Sequence, residues 1–179
     1  LEHQLPLEPR DLFGHRIVLP ICDEQGRPIA FSGRQLPGAT TGGKYVNSPS
    51  TPLFEKHRVL YALDRAKRAL RAEKPLVLCE GPMDVIALEQ YGIEGAIASS
   101  GTAFTREQAA LIARRSGSVA PIILFDGDRA GREATEKAAR LLLECNLNVR
   151  RLTLPAGEDP DSWVRAIGQE DAQVELDRA

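Results

Sequence analysis

From Lys74 onward the chain repeats one pattern, and that pattern narrows the possible folds more than any other feature. A short unbroken apolar run is followed by a stretch of helical spacing, then by another apolar run. The apolar runs are residues 76–79 (LVLC), 96–98 (AIA) and 122–125 (IILF), and residues 149–154 (VRRLTL), more mixed, take the place of a fourth strand. Strands that are apolar without alternation are buried on both faces, so they belong to a parallel sheet covered by helices on each side. The intervening segments carry helix signals. Pro82 suits a first helical position and Gly92 a stop. Thr105 and Gln108 have the spacing of a capping box. Ala130, Ala134, Ala138, Leu141 and Cys145 recur as one apolar stripe. The expectation is an α/β fold with a central, mainly parallel four-stranded sheet flanked by helices.

Before Lys74 the rhythm differs. Residues 16–21 and 27–32 read as two strands around a turn, with Pro20 and Pro28 at edges or strand ends. Residues 37–43 (PGATTGG) form a flexible loop, and residues 61–73 have helical spacing through Ala62, Ala66, Ala69 and Leu70. These features predict a smaller α+β subdomain over residues 1–73 and a larger α/β domain over residues 74–179.

Charge divides along nearly the same line. Residues 1–75 hold 12 Lys/Arg against 8 Asp/Glu, a net of +4, and residues 76–179 hold 11 against 17, a net of −6. A basic part suits a polyanion, and an acidic part suits cations; solvated surface charge is the plainer account. Cys22, Cys79 and Cys145 are scattered, as are His3, His15 and His57, so zinc and disulfides are not expected. No stretch approaches the roughly 18–20 apolar residues of a membrane span, so no membrane partner is expected.

The acids fall at telling places. Glu80 ends the first apolar run, Asp126 and Asp128 end the third, and Glu158, Asp159 and Asp161 follow the fourth strand. Ligands of such sheets gather outside the carboxyl ends of the strands. Carboxylates that converge there repel one another unless a cation is present. Oxygen donors suit Mg²⁺ or Mn²⁺, and Mg²⁺ takes one or two carboxylates while keeping water and phosphate oxygens. Simpler accounts stand beside this one. Glu80 and Asp84 also suit a helix dipole, Asp159 a turn and Asp161 a helix cap. Arg129 suits either an ion pair with Asp128 or a phosphate contact, Tyr45 also suits a core and Asn47 a turn.

The segments EGPMDV (80–85), DGDRAGR (126–132) and PAGEDPD (155–161) resemble, in order and spacing, the TOPRIM module of bacterial DnaG-type primases. GHRIVLP (14–20), Gly33-Arg34 and KYVNSP (44–49) resemble the subdomain that precedes it, so the likeness spans about residues 12–168. It implies a TOPRIM fold and a partial catalytic core of a DNA-dependent RNA polymerase that makes short primers from ribonucleoside triphosphates. By the same resemblance Glu80 is a catalytic acid or base near the metals and itself one of the metal-holding acids. Asp126 and Asp128 are catalytic and, with Asp159 and Asp161, metal-holding. Arg34, Lys44, Tyr45, Asn47, Asp84 and Arg129 contact nucleotide or DNA. Implied partners are single-stranded template DNA, ribonucleoside triphosphates and, through a region outside this chain, a replicative helicase, in the cytoplasm at the replication fork. Pro82 stands where that family commonly has an aromatic residue, which implies a local backbone change. A TOPRIM nuclease or topoisomerase-like enzyme, and a fragment that binds DNA or nucleotide without turnover, are the competing classes.

Overall fold

The computed structural model describes residues 11–38, 42–99, 101 and 103–179. His3 and residues 39–41 of the expected flexible loop lie outside the described residues. Three strands, β1 (Arg16–Cys22), β2 (Pro28–Gln35) and β3 (Tyr45–Asn47), form an antiparallel sheet in that order. The second sheet is built from β4 (Leu60–Tyr61), β5 (Val77–Cys79), β6 (Ala96–Ser99), β7 (Ile122–Ile123) and β8 (Arg150–Arg151), in the order β4-β6-β5-β7-β8. Its helices are α1 (Leu63–Arg71), α2 (Pro82–Gln90), α3 (Arg106–Ser116), α4 (Arg129–Glu144) and α5 (Pro160–Arg178), the last kinked at Gly168.

The mainly parallel sheet expected from the apolar runs is present, with β5 parallel to β6 and β7, and β7 parallel to β8. It has five strands rather than four. The addition is β4, a two-residue strand antiparallel to β6 through Leu60↔Ser99 and Tyr61↔Ala98. Both β4 and α1 lie before the boundary expected near residue 74, yet Leu60, Leu63 and Ala66 share a core with Leu76 and Leu78. The two sheets therefore part between Asn47 and Leu60. Two residues of strand are too few for periodicity to reveal, and the expected helix at Tyr61 begins instead at Leu63. β3, three residues long, is also short and follows the Gly-rich loop.

Period-two alternation explains why the runs are apolar throughout. Val77, Cys79, Ala96, Ala98, Ile122 and Leu124 face one layer, with Val85 and Leu88 of α2 and Trp163 and Val164 of α5. Leu78, Ile97, Ile123 and Phe125 face the other, with Ala109 and Ile112 of α3 and Ala138 and Leu142 of α4. Leu19, Ile21 and Ala30 of the small sheet join the first layer, which ties that sheet to the larger one. Burying each Val, Leu, Ile or Phe among them contributes about 1.5–3 kcal/mol before entropy is counted, and the alanines less.

Helix starts follow their local chemistry. At α3, Thr105 Oγ1 accepts the Gln108 N–H at 3.2 Å and Gln108 Oε1 accepts the Thr105 N–H at 3.1 Å, the capping box the spacing predicts. Gln108, though fully buried, is satisfied further by donating to the carbonyls of Lys56 and Val59. Among the described residues no helix is long and apolar enough to cross a membrane.

Candidate active site

Glu80 follows β5 directly, and the parallel register Val77↔Ile122, Leu78↔Ile123 carries the backbone of Asp126 alongside it. Glu80 Oε1 accepts the Asp126 N–H at 3.2 Å, and Ser99 Oγ donates to the Glu80 carbonyl at 3.3 Å. Residues from the carboxyl ends of three neighbouring strands are thus locked together.

The loop between the paired aspartates is held from two sides. The Gly127 N–H donates to the Glu158 carbonyl at 2.8 Å, and a Cβ on Gly127 would lie 2.0 Å from the Pro155 carbonyl oxygen. A Cβ on Gly131 would lie 2.1 Å from the Asp126 carbonyl oxygen. Only glycine permits this backbone-to-backbone approach. Arg132 closes the loop by donating from Nη1 to the Gly127 carbonyl at 2.6 Å. So DGDRAGR and PAGEDPD, 29 residues apart from first letter to first letter, make one rim.

A cavity of about 270 Å³ opens on that rim. Glu80, Asp84, Asp126, Asp159 and Asp161 line it, together with Arg34, Lys44 and Tyr45 from the antiparallel sheet and its preceding loop. The basic and acidic parts of the chain therefore face a common space. Three expected residues do not line it. Asp128 is turned to the start of α4, where Oδ1 accepts the Gly131 N–H at 2.7 Å. Arg129 is exposed and lies 3.8 Å from Glu133. Asn47 lies behind Gly101, whose Cβ would come within 2.7 Å of Asn47 Nδ2. Ser32, Gly81, Pro82, Met83 and Gly101 line the cavity without having been expected as site residues; Gly81, Pro82 and Met83 belong to the EGPMDV segment, while Ser32 and Gly101 carry no comparable sequence signal.

The simpler readings of these two acids come out changed. Asp159, read as a turn former, caps α5 by accepting the Ser162 N–H at 2.7 Å, and Asp161, read as a helix cap, instead forms a two-point pair with Arg165 at 2.7 and 3.2 Å. Arg34 Nη1 donates to the Tyr45 hydroxyl at 2.8 Å and lies over its ring, so these two form one unit.

The electrostatics are those of carboxylates short of cations. Burial raises the Glu80 carboxyl above its usual range, and the charge of Asp126 adds to this against the Asp126 N–H bond. Burial likewise raises Asp126, reinforced by Asp159 and Asp128 and opposed by Lys44. Asp84 is pushed up to about 7, chiefly by burial, with repulsion from Asp126, Asp159 and Glu80 and with its bond from the Gly81 N–H opposing. Burial also raises the Tyr45 hydroxyl.

Among the described residues no group of three or more His, Cys, Asp or Glu side chains is gathered closely enough to hold an ion alone. The donors at the rim are all oxygens, several are raised by burial with mutual repulsion added, and the opposite side carries cations suited to phosphate. That arrangement fits a hard divalent cation that takes one or two carboxylates and completes its shell with water and phosphate oxygens.

Comparison with known proteins gives a consistent result. A family model described as Toprim-like matches residues 77–164, and one described as the N-terminal domain of the DNA primase catalytic core matches residues 2–67. A DNA primase of Listeria monocytogenes is 49% identical over 161 residues, 89% of this chain and 25% of that protein. The solved zinc-binding and RNA polymerase domains of the Aquifex aeolicus primase superpose with a TM-score of 0.89 at 38% identity, covering 94% of this chain and 41% of that one. A DnaG primase catalytic domain bound to single-stranded DNA has a TM-score of 0.79 at 40% identity, over 92% of this chain and 53% of that one. The chain spans about a quarter of the length of the curated relatives it matches.

Proposed function

The chain belongs to the bacterial DNA primase family, of whose catalytic core it is a part, and we propose that its cavity is the metal-dependent nucleotidyl-transfer site of a DNA-templated RNA polymerase. The observation that supports this most is the meeting of five carboxylates with Arg34, Lys44 and Tyr45 around one space. In the reaction the 3′-oxygen of one ribonucleotide bonds to the α-phosphorus of a triphosphate. The bond from that phosphorus to the bridging oxygen breaks, and pyrophosphate leaves with the electron pair. Lys44 and Arg34 hold the triphosphate by charge, and the Arg34–Tyr45 unit orients it. Glu80, fixed by the Asp126 N–H, accepts the hydroxyl proton. Asp126, with Asp159 and Asp161, would hold Mg²⁺ or Mn²⁺; Asp128 supports them by fixing the loop and by its charge on Asp126. A bound divalent cation supplies charge neutralisation on the attacking and leaving oxygens.

Asp84 lines the wall, Asn47 backs it from behind Gly101, and Arg129 stands outside as a contact for the template strand. The template is single-stranded DNA, guided by the basic residues of the antiparallel sheet. A replicative helicase would act through a part of the protein outside this chain, at the replication fork. The primase relatives favour polymerisation over the cleavage chemistry of TOPRIM nucleases and topoisomerases.

The test is a Mn²⁺ titration of the chain and of Asp126→Asn, with extension of a primed template measured in parallel. Asp126→Asn is expected to weaken Mn²⁺ binding at least tenfold and to abolish extension. Unchanged Mn²⁺ affinity would refute the metal role, and DNA cleavage without extension would refute the polymerase reading.

A further inference from the structure

We infer that a second cavity, on the α4 side of Glu80, is the subsite for the ribonucleotide whose 3′-hydroxyl attacks, while the attacked triphosphate occupies the cavity beside Asp126. The inference rests on the reading of the chain as part of a primase core. Joining two nucleotides requires that both be held at once, one on each side of the bond being made.

Two cavities meet at Glu80 and Gly101. The first, about 270 Å³, is lined by acids and bases and suits phosphate with a cation. The second, about 500 Å³, is of different character. Phe104, Phe125, Ala130 and Ala134 make it mostly apolar, and the exposed Lys137 and Glu133 also line it, the Glu133 carboxylate lying 3.8 Å from Arg129. Apolar walls with a few polar groups are the usual lining of a site for a flat organic ring. Ala130 and Ala134 are one helical turn apart on α4, and their methyl groups leave open space that larger side chains would fill. Phe104, partly buried, is available for stacking, which every nucleobase accepts. Lys137 suits the phosphate that joins the attacking nucleotide to the primer behind it.

The junction is the catalytic end of the arrangement. The Ser99 hydroxyl and the Asp126 N–H hold Glu80 between the two spaces. A 3′-hydroxyl entering from the second cavity would meet the Glu80 carboxylate with the α-phosphate on the other side. Its oxygen bonds to phosphorus, its proton passes to Glu80, and pyrophosphate leaves through the first cavity.

The subsite is tested by titrating adenosine 5′-monophosphate, which has the base and 3′-hydroxyl without the leaving group, and separately ATP with Mn²⁺. The proteins are the wild-type chain, Ala130→Leu, Ala134→Leu and Asp126→Asn. Ala130 is exposed, so leucine there fills the cavity without entering the core; Ala134→Leu is the second variant, and thermal melts show that both fold. Filling the cavity is expected to weaken monophosphate binding about tenfold or more, the scale of a lost stacking contact, and to leave Mn²⁺–ATP affinity within about twofold. Asp126→Asn is expected to do the reverse. If neither leucine variant weakens the monophosphate, or if wild type does not bind it at millimolar concentration, the subsite is refuted and the metal reading stands. If Asp126→Asn leaves Mn²⁺–ATP binding unchanged, the metal reading fails, whatever the monophosphate does.

Discussion

Replacing Asp84 by asparagine removes a charge from the acidic wall and keeps an oxygen for the Gly81 N–H, now accepted by Asp84 at 2.9 Å. The folded state holds this carboxyl up to about 7 against an ordinary 3.8, chiefly by burying it. A group raised on folding gives stability that is complete below its unfolded pKa and is lost as pH rises through its folded one. Between about pH 5 and 7 the folded Asp84 keeps its proton while the unfolded one has lost it. Wild type therefore loses about 1.4 kcal/mol per pH unit relative to the variant, about 3 kcal/mol over the interval, and the gap stays level above pH 7. The assay is urea denaturation of both proteins from pH 5 to 8 without divalent cations, with the slope of stability against urea checked for constancy. The variant is expected to gain on wild type across that range, and saturating Mg²⁺ to narrow the gap by neutralising the wall. A stability difference independent of pH, or a variant less stable than wild type at pH 8, would refute the account of this wall as a set of carboxylates held against burial and repulsion.

Two further outcomes test the rim and the scaffold. Gly127→Ala forces a methyl to within 2.0 Å of the Pro155 carbonyl, where no flexible side chain can yield; it is expected to cost about 2–4 kcal/mol by thermal or urea unfolding and to weaken Mn²⁺ binding by parting Asp126 from the 155–161 loop. Glu73, exposed and held at φ 53° just beyond α1, pays the strain of a left-handed backbone; Glu73→Gly is expected to gain about 0.5–1 kcal/mol, seen as a higher melting temperature, with ligand binding unchanged.

What the sequence by itself determined is the part governed by local chemistry. Unbroken apolar runs can be satisfied only by a sheet buried on both faces, and the capping pair Thr105–Gln108 starts a helix wherever it stands. The acids were legible because strand ends of a parallel sheet share a rim, so Glu80 and Asp126 had to be neighbours once β5 and β7 paired. The tertiary structure alone decided where β4 and α1 belong, since two residues of strand show no period and Leu60 finds its partner 39 positions away at Ser99. It alone decided that Asp128, adjacent in sequence to a cavity residue, turns to cap α4, because the backbone approach allowed by Gly127 and Gly131 points consecutive carboxylates in different directions. And it alone placed the basic strands opposite the acids: their meeting depends on Leu19, Ile21 and Ala30 burying themselves against the larger sheet, a packing between distant segments that no local pattern encodes.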